Sequence, residues 1–116
     1  MLIGVPAETM AGETRVAVTP ETVKKLAASG HTVRVQSGAG IAASVTDAAY
    51  QAAGGEIVNM NAAFAADMVL KVRTPTDAET MLMKPGTVVI GMLNPFDAAG
   101  LQRLATAGLT AFALEA

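Results

Sequence analysis

Residues 67–93 run Asp-Met-Val-Leu-Lys-Val-Arg-Thr-Pro-Thr-Asp-Ala-Glu-Thr-Met-Leu-Met-Lys-Pro-Gly-Thr-Val-Val-Ile-Gly-Met-Leu, and their reading decides the fold. Two apolar runs, 67–72 and 87–93, flank a segment that opens with Thr76-Asp-Ala-Glu79. That is a capping-box sequence, in which the Glu carboxylate reaches back to the first free amide of a helix. Apolar runs this continuous suit strands buried on both faces of a parallel sheet. Strand, capped helix and strand together make one crossover unit.

The pattern repeats outward. Residues 2–5 (Leu-Ile-Gly-Val), 32–36 (Thr-Val-Arg-Val-Gln) and 109–114 (Leu-Thr-Ala-Phe-Ala-Leu) are further strands. The 32–36 run alternates, with Val33 and Val35 on one face, which predicts an edge strand. Thr19 caps a helix that begins at Pro20, places Val23, Leu26 and Ala27 on one face and stops at Gly30. Thr46 and Asp47 open a second helix, running through Tyr50 to Gly54-Gly55, and a short one covers 61–66. Asp97 caps the last helix, where Phe96 and Leu101 have the spacing of a hydrophobic staple and Gly108 is the stop. Unbroken alternation predicts one α/β domain over 1–116. Its form is a three-layer sandwich around a five-stranded parallel sheet, in the flavodoxin-like order 2-1-3-4-5 with right-handed crossovers.

Composition narrows the function. The 116 residues carry 8 Lys+Arg against 10 Asp+Glu, so neither sign dominates and no electrostatic footprint for nucleic acid stands out. There is no Cys and one His, which removes disulfides, thiolate nucleophiles and the usual zinc ligand sets. No metal site is expected. Aromatics are 3% of the chain while 24 residues are Ala, a composition for helices packed closely on a sheet and not for stacking bases. The charge-free stretch from Pro85 to Phe96 falls short of the roughly 20 apolar residues a membrane span requires. The N-terminus lacks a basic segment and meets Glu8 at once, so it does not read as a signal peptide.

In an open parallel sheet ligands gather outside the carboxyl ends of the strands, where strand order reverses. Here that crevice lies between the 2–5 and 67–72 strands. The connection after the first strand, residues 6–18, is longer than the usual two to six residues and brings Glu8, Glu13 and Arg15. Its apolar end predicts an ordered, functional loop. The 67–72 strand delivers Lys71 and Arg73, and the 87–93 strand leads to Asn94-Pro95. Cations and an amide around one crevice suit a carboxylate, a phosphate or a carboxamide. The plainer alternative is that Glu13 pairs with Arg15 or Lys71 and all are solvated rim charges.

Gly38-Ala-Gly40-Ile-Ala-Ala43 matches the G-x-G-x-x-A form of the dinucleotide fingerprint and follows a strand. Three features weigh against a cofactor loop: the strand before it is the second, the helix starts only near Thr46, and no acid ends a following strand. A tight turn is the better reading. His31, just past a helix stop, has no second His or Cys beside it to form a ligand set. The methionines read as core filling.

Four pieces occur in one order: Ile3-Gly-Val-Pro6, Glu13-Thr-Arg-Val-Ala-Val-Thr-Pro20, Val35-Gln-Ser-Gly-Ala-Gly40 and Asp67-Met-Val-Leu-Lys-Val72. Together they resemble the N-terminal domain shared by alanine dehydrogenase and the alpha subunit of proton-translocating NAD(P) transhydrogenase. The resemblance covers essentially the whole chain, and the Glu13–Pro20 run is its most specific part. In alanine dehydrogenases, residues matching Arg15 and Lys71 hold the substrate, and a catalytic His follows the fourth strand. Here that position is Asn94, followed by Pro95. Asn exchanges no proton near neutral pH, so amino-acid oxidation by that route loses its acid/base. Transhydrogenase passes hydride directly between two nucleotides and needs no such group, so the departure points to transhydrogenase.

The resemblance implies a division of labour. NAD(H) is bound mainly by a Rossmann-type domain expected beyond Ala116, so this chain is read as truncated, with Arg15, Lys71 and Asn94 as crevice candidates and no catalytic residue of its own. The chain alone is expected to be inactive and to hold no cofactor tightly. NADP(H) sits on the partner beta subunit. The complete alpha component is expected to be a homodimer, cytoplasmic and peripheral to the inner membrane, beside the beta subunit and a membrane domain. The alternatives are an alanine-dehydrogenase-like amino-acid oxidoreductase domain and a stand-alone binding module for small carboxylates.

Overall fold

A computed structural model of the chain describes residues 1–93 and 98–114. Among these residues the elements are β1 (Leu2–Val5), α1 (Pro20–Ala28), β2 (Thr32–Gln36), α2 (Asp47–Ala52), β3 (Glu56–Val58), α3 (Met60–Phe64), β4 (Met68–Lys71), α4 (Asp77–Thr80), β5 (Val88–Gly91), α5 (Ala98–Thr106) and β6 (Thr110–Ala113). A single 3-10 turn covers Ile41–Ala43. All strand pairings are parallel, in the order β3-β2-β1-β4-β5-β6. The expected α/β class and parallel sheet are present, and order reverses between β1 and β4.

Two corrections concern the sheet. It has six strands among the described residues, not five, and the 32–36 strand is not an edge. The added strand, Glu56-Ile-Val58, pairs outside β2 and is only three residues long. β2 alternates because Val33 and Val35 are buried while Thr32, Arg34 and Gln36 are not. One-sided burial produces the same sequence pattern as an edge position.

Local signals placed the helices. Thr19 accepts a hydrogen bond from the Thr22 amide and Thr46 from the Ala49 amide. The Thr76/Glu79 capping box has both of its bonds, at 3.2 and 2.9 Å. The short third helix begins at Met60, one residue ahead of expectation, because Asn59 caps it through the Ala62 amide. The predicted cap Asp97 and the staple residue Phe96 lie outside the described residues.

Each face of the sheet has its own core. Val5, Val33 and Val35 pack with Val23 of α1 and Tyr50 of α2, while Val69 and Val89 pack with Phe64 of α3 and Leu104 of α5. Gly4 is required on the second face, since a Cβ there would lie 1.7 Å from the Ala63 carbonyl oxygen. β4 and β5 are buried on alternate residues only, so Leu70 and Ile90 stay half-exposed despite their apolar runs. Apolar sequence on both faces therefore did not mean burial on both. The uncovered half of that face continues to exposed Phe112 and Leu114.

The 6–18 connection is ordered without being helix or strand. Buried Tyr50 donates its hydroxyl to the Val18 carbonyl at 2.7 Å, and the Ala7 amide donates to Gln36 Oε1 at 2.9 Å. These bonds pin both ends of the loop over the carboxyl ends of β1 and β2.

Candidate functional site

The loop carries two acids to the carboxyl end of β4, and each collects a set of donors. Glu13 is nearly inaccessible, with 3% of its side chain exposed, although Arg15 and Arg73 on either side are half-exposed. Arg15 grips it in a fork, Nε to Oε2 at 2.9 Å and Nη2 to Oε1 at 2.8 Å, and adds its own backbone amide at 2.9 Å. Arg73 Nε reaches Oε1 from the far side at 2.8 Å. The Arg15 side-chain bond first, then its amide and Arg73, hold the Glu13 carboxyl well below the usual carboxylate range. The resulting stability is present above the pKa of an unfolded Glu and is lost as pH falls through the lowered folded value.

Glu8 works one layer deeper. Its two oxygens accept the Val72 and Arg73 amides, at 2.9 and 3.0 Å, which closes the loop onto the end of β4. The same carboxylate lies 3.2 Å from Lys71 Nζ. Glu79, from the first turn of α4, stands 3.7 Å from that ammonium on another side. Lys71, Glu8 and Glu79 side chains are all within 7% of full burial. Of the two pairings expected for Glu13, with Arg15 or with Lys71, the Arg15 pair is present, and Arg73 adds a second cation while Lys71 pairs with Glu8 and Glu79. The solvated-rim alternative fits the arginines only, because both loop carboxylates are buried.

Arg15 and Lys71 thus come to the same end of adjacent central strands, as β1 and β4 require, and both line one cavity, although the ammonium itself lies elsewhere. Arg15 lines a cavity of about 350 Å³ floored by Leu70 and Ile90, with Val16, Ala17 and Met92 around it. The Arg15 Nη1 donates to Met92 Sδ at 3.5 Å. Lys71 Nζ instead sits with Glu8 and Glu79 beside a smaller space of about 140 Å³ under Thr9, Met10 and Thr74. Gly91 keeps the two strand ends together, because a Cβ there would lie 2.0 Å from the Lys71 carbonyl oxygen. Asn94 lies outside the described residues. The residue that sequence reasoning underused is Glu79, read only as a cap. Its second contact needs the turn through Pro75 to bring α4 back over β4.

The glycine segment after β2 does not fit a dinucleotide. Asp47 accepts from Ser37 Oγ and from the Gly38 amide, at 3.0 and 2.9 Å, so that amide is already paired within the chain. Gly40 is packed so tightly that a Cβ would meet Tyr50 and Val45 at 2.8–2.9 Å. These glycines serve a turn and a close approach. Among the described residues no group of three or more His, Cys, Asp or Glu could hold a metal, and no helix is long and apolar enough to cross a membrane.

A doubly wound parallel domain with a charged crevice at its switch point has the ligand-binding layout of open α/β sheets. The chain matches the family described as alanine dehydrogenase/PNT, N-terminal domain, over residues 4–116. It belongs to that family. It is 42% identical over 106 residues to the NAD(P) transhydrogenase subunit alpha of Cereibacter sphaeroides, covering 90% of this chain and 20% of that protein. It is 40% identical over 94 residues to alanine dehydrogenase 1 of Staphylococcus aureus (strain bovine RF122 / ET3-1), covering 81% and 25%. A solved transhydrogenase from Sinorhizobium meliloti superposes with a TM-score of 0.94 at 36% identity, over 97% of this chain and 34% of its own. A solved L-alanine dehydrogenase gives 0.93 at 36%, over 97% and 32%. The chain therefore spans a quarter or less of the curated relatives and about a third of the solved ones.

Proposed function

We propose that this domain is the first domain of a transhydrogenase alpha component, which binds NAD(H) and exchanges hydride with NADP(H) held by a beta subunit. The observation that carries the choice over alanine oxidation is Asn94, where the dehydrogenase pattern has a proton-exchanging His. An amide neither takes nor gives a proton near neutral pH. Hydride passing from one nicotinamide ring to another releases no proton from substrate, so no side chain there is required. The similarity to the transhydrogenase alpha subunit supports the same reading.

In this reading the NAD(H) pyrophosphate belongs to a second, Rossmann-type domain of the complete protein. The present domain contributes the wall of the crevice, with Arg15 at the 350 Å³ cavity. An anion or the carboxamide edge of a nicotinamide suits a guanidinium beside an apolar floor. The complete component is proposed to act as a homodimer on the cytoplasmic side of the inner membrane, beside a proton-translocating membrane domain.

The test uses a protein carrying this domain together with its NAD-binding domain. It should form no NADH from NAD and L-alanine at any pH, yet should pass hydride from NADH to an NADP analogue once the NADP(H)-binding subunit is added. Robust alanine-dependent NADH formation overturns the assignment.

A further inference from the structure

We propose that Glu79 is a positioning residue, which locks the Lys71 ammonium at the end of β4 and ties its place to the N-terminal cap of α4. Both carboxylates beside Lys71 are already committed to backbone amides. Glu8 gives both oxygens to backbone amides, Val72 and Arg73, and Lys71 Nζ shares one of those oxygens at 3.2 Å. Glu79 divides differently. Its Oε1 accepts the Thr76 amide in the capping box, while its buried Oε2 has no hydrogen-bond partner and lies 3.7 Å from Lys71 Nζ. A buried carboxylate oxygen without a hydrogen bond is held there by charge, and among the described residues the cation placed against it is this ammonium.

The geometry gives the lock a direction. Val69 and Lys71 lie on the same face of β4, the face of α3 to α5, whereas Leu70 floors the cavity that Arg15 lines. Glu79 therefore holds the ammonium on the α4 side of the sheet. Because one carboxylate serves both cap and ammonium, a shift of α4 moves the charge with it. What the lock means for ligand binding rests on the function proposed above, but the lock itself is testable without any ligand.

The chain offers its own controls, since its other lysines, Lys24, Lys25 and Lys84, are exposed. Competitive acylation by an N-hydroxysuccinimide ester, read by peptide mass spectrometry, compares all four at once. In Glu79→Gln the amide oxygen keeps the Thr76 bond but the charge is gone. The Lys71 rate should then rise about fivefold, with the other three unchanged, because the local opening equilibrium shifts. Thr76→Ala weakens the cap but leaves the carboxylate, so the Lys71 rate should rise clearly less than in Glu79→Gln. An unchanged Lys71 rate in Glu79→Gln overturns the proposal. So does an equal rise in Thr76→Ala, which would reduce Glu79 to a helix cap.

Discussion

Replacing Gly4 by alanine should lower the unfolding free energy by about 3 kcal/mol, at the upper end of overpacking losses. The cause is backbone meeting backbone. A Cβ at Gly4 lies 1.7 Å from the Ala63 carbonyl oxygen and 2.9 Å from its carbon, so no rotamer change relieves it. α3 must back away from β1, and Phe64 leaves the second core with it. Valine at this position should prevent folding, given a total stability of order 5–15 kcal/mol for such domains. Urea denaturation followed by circular dichroism reads both. Gly12 is the control: it has positive φ but open space, so alanine there should cost only about 1 kcal/mol. A Gly4→Ala loss no greater than that of Gly12→Ala would contradict the packing described.

Lys71→Met should be the other severe substitution, with a loss of about 3–5 kcal/mol, as when one partner of a buried ion pair is removed. Methionine fills the space of the lysine stem but leaves Glu8 and Glu79 facing one another, each almost inaccessible to water. Most of the loss is thus the burial of unpaired charge, not of missing contacts. Adding Glu79→Gln to Lys71→Met should recover more than 1 kcal/mol, since one of the two stranded charges is neutralised. Denaturant midpoints of the single and double variants settle the sign. No recovery would mean that the two carboxylates do not repel each other once Lys71 is removed.

The fold was largely legible because its decisive signals are local. Thr19, Thr46 and Thr76 each announce a helix with one hydroxyl and an amide three residues away. Nothing local announces β3, whose three residues become a strand only by pairing with β2. The start of the third helix is set by Asn59, whose side chain accepts from the Ala62 amide. Burial across the sheet was illegible for another reason. Leu70 and Ile90 look like core residues, and whether a helix covers them is decided elsewhere in the fold.

The site divides in the same way. Topology and the family resemblance place Arg15 and Lys71 at one end of the sheet. They do not give their partners, because the bond from Glu8 to the Val72 amide joins residues 64 apart in sequence. The choice of Arg73 over Lys71 as the second cation on Glu13 depends on strand pleat. Lys71 points to the α4 side of β4, and the loop end passes over the other side. Glu79 carries a full local explanation as a cap, so its sequence raises no question that a second role would answer.

In the function proposed above, this domain offers a charged crevice while a different domain grips the dinucleotide. Titration calorimetry of the 116-residue chain with NADH tests it most directly. The Gly38 amide of the glycine turn is already paired with Asp47, so NADH should bind weakly or not at all. Binding at micromolar affinity, about 8 kcal/mol, would contradict the account and make that turn a true cofactor loop.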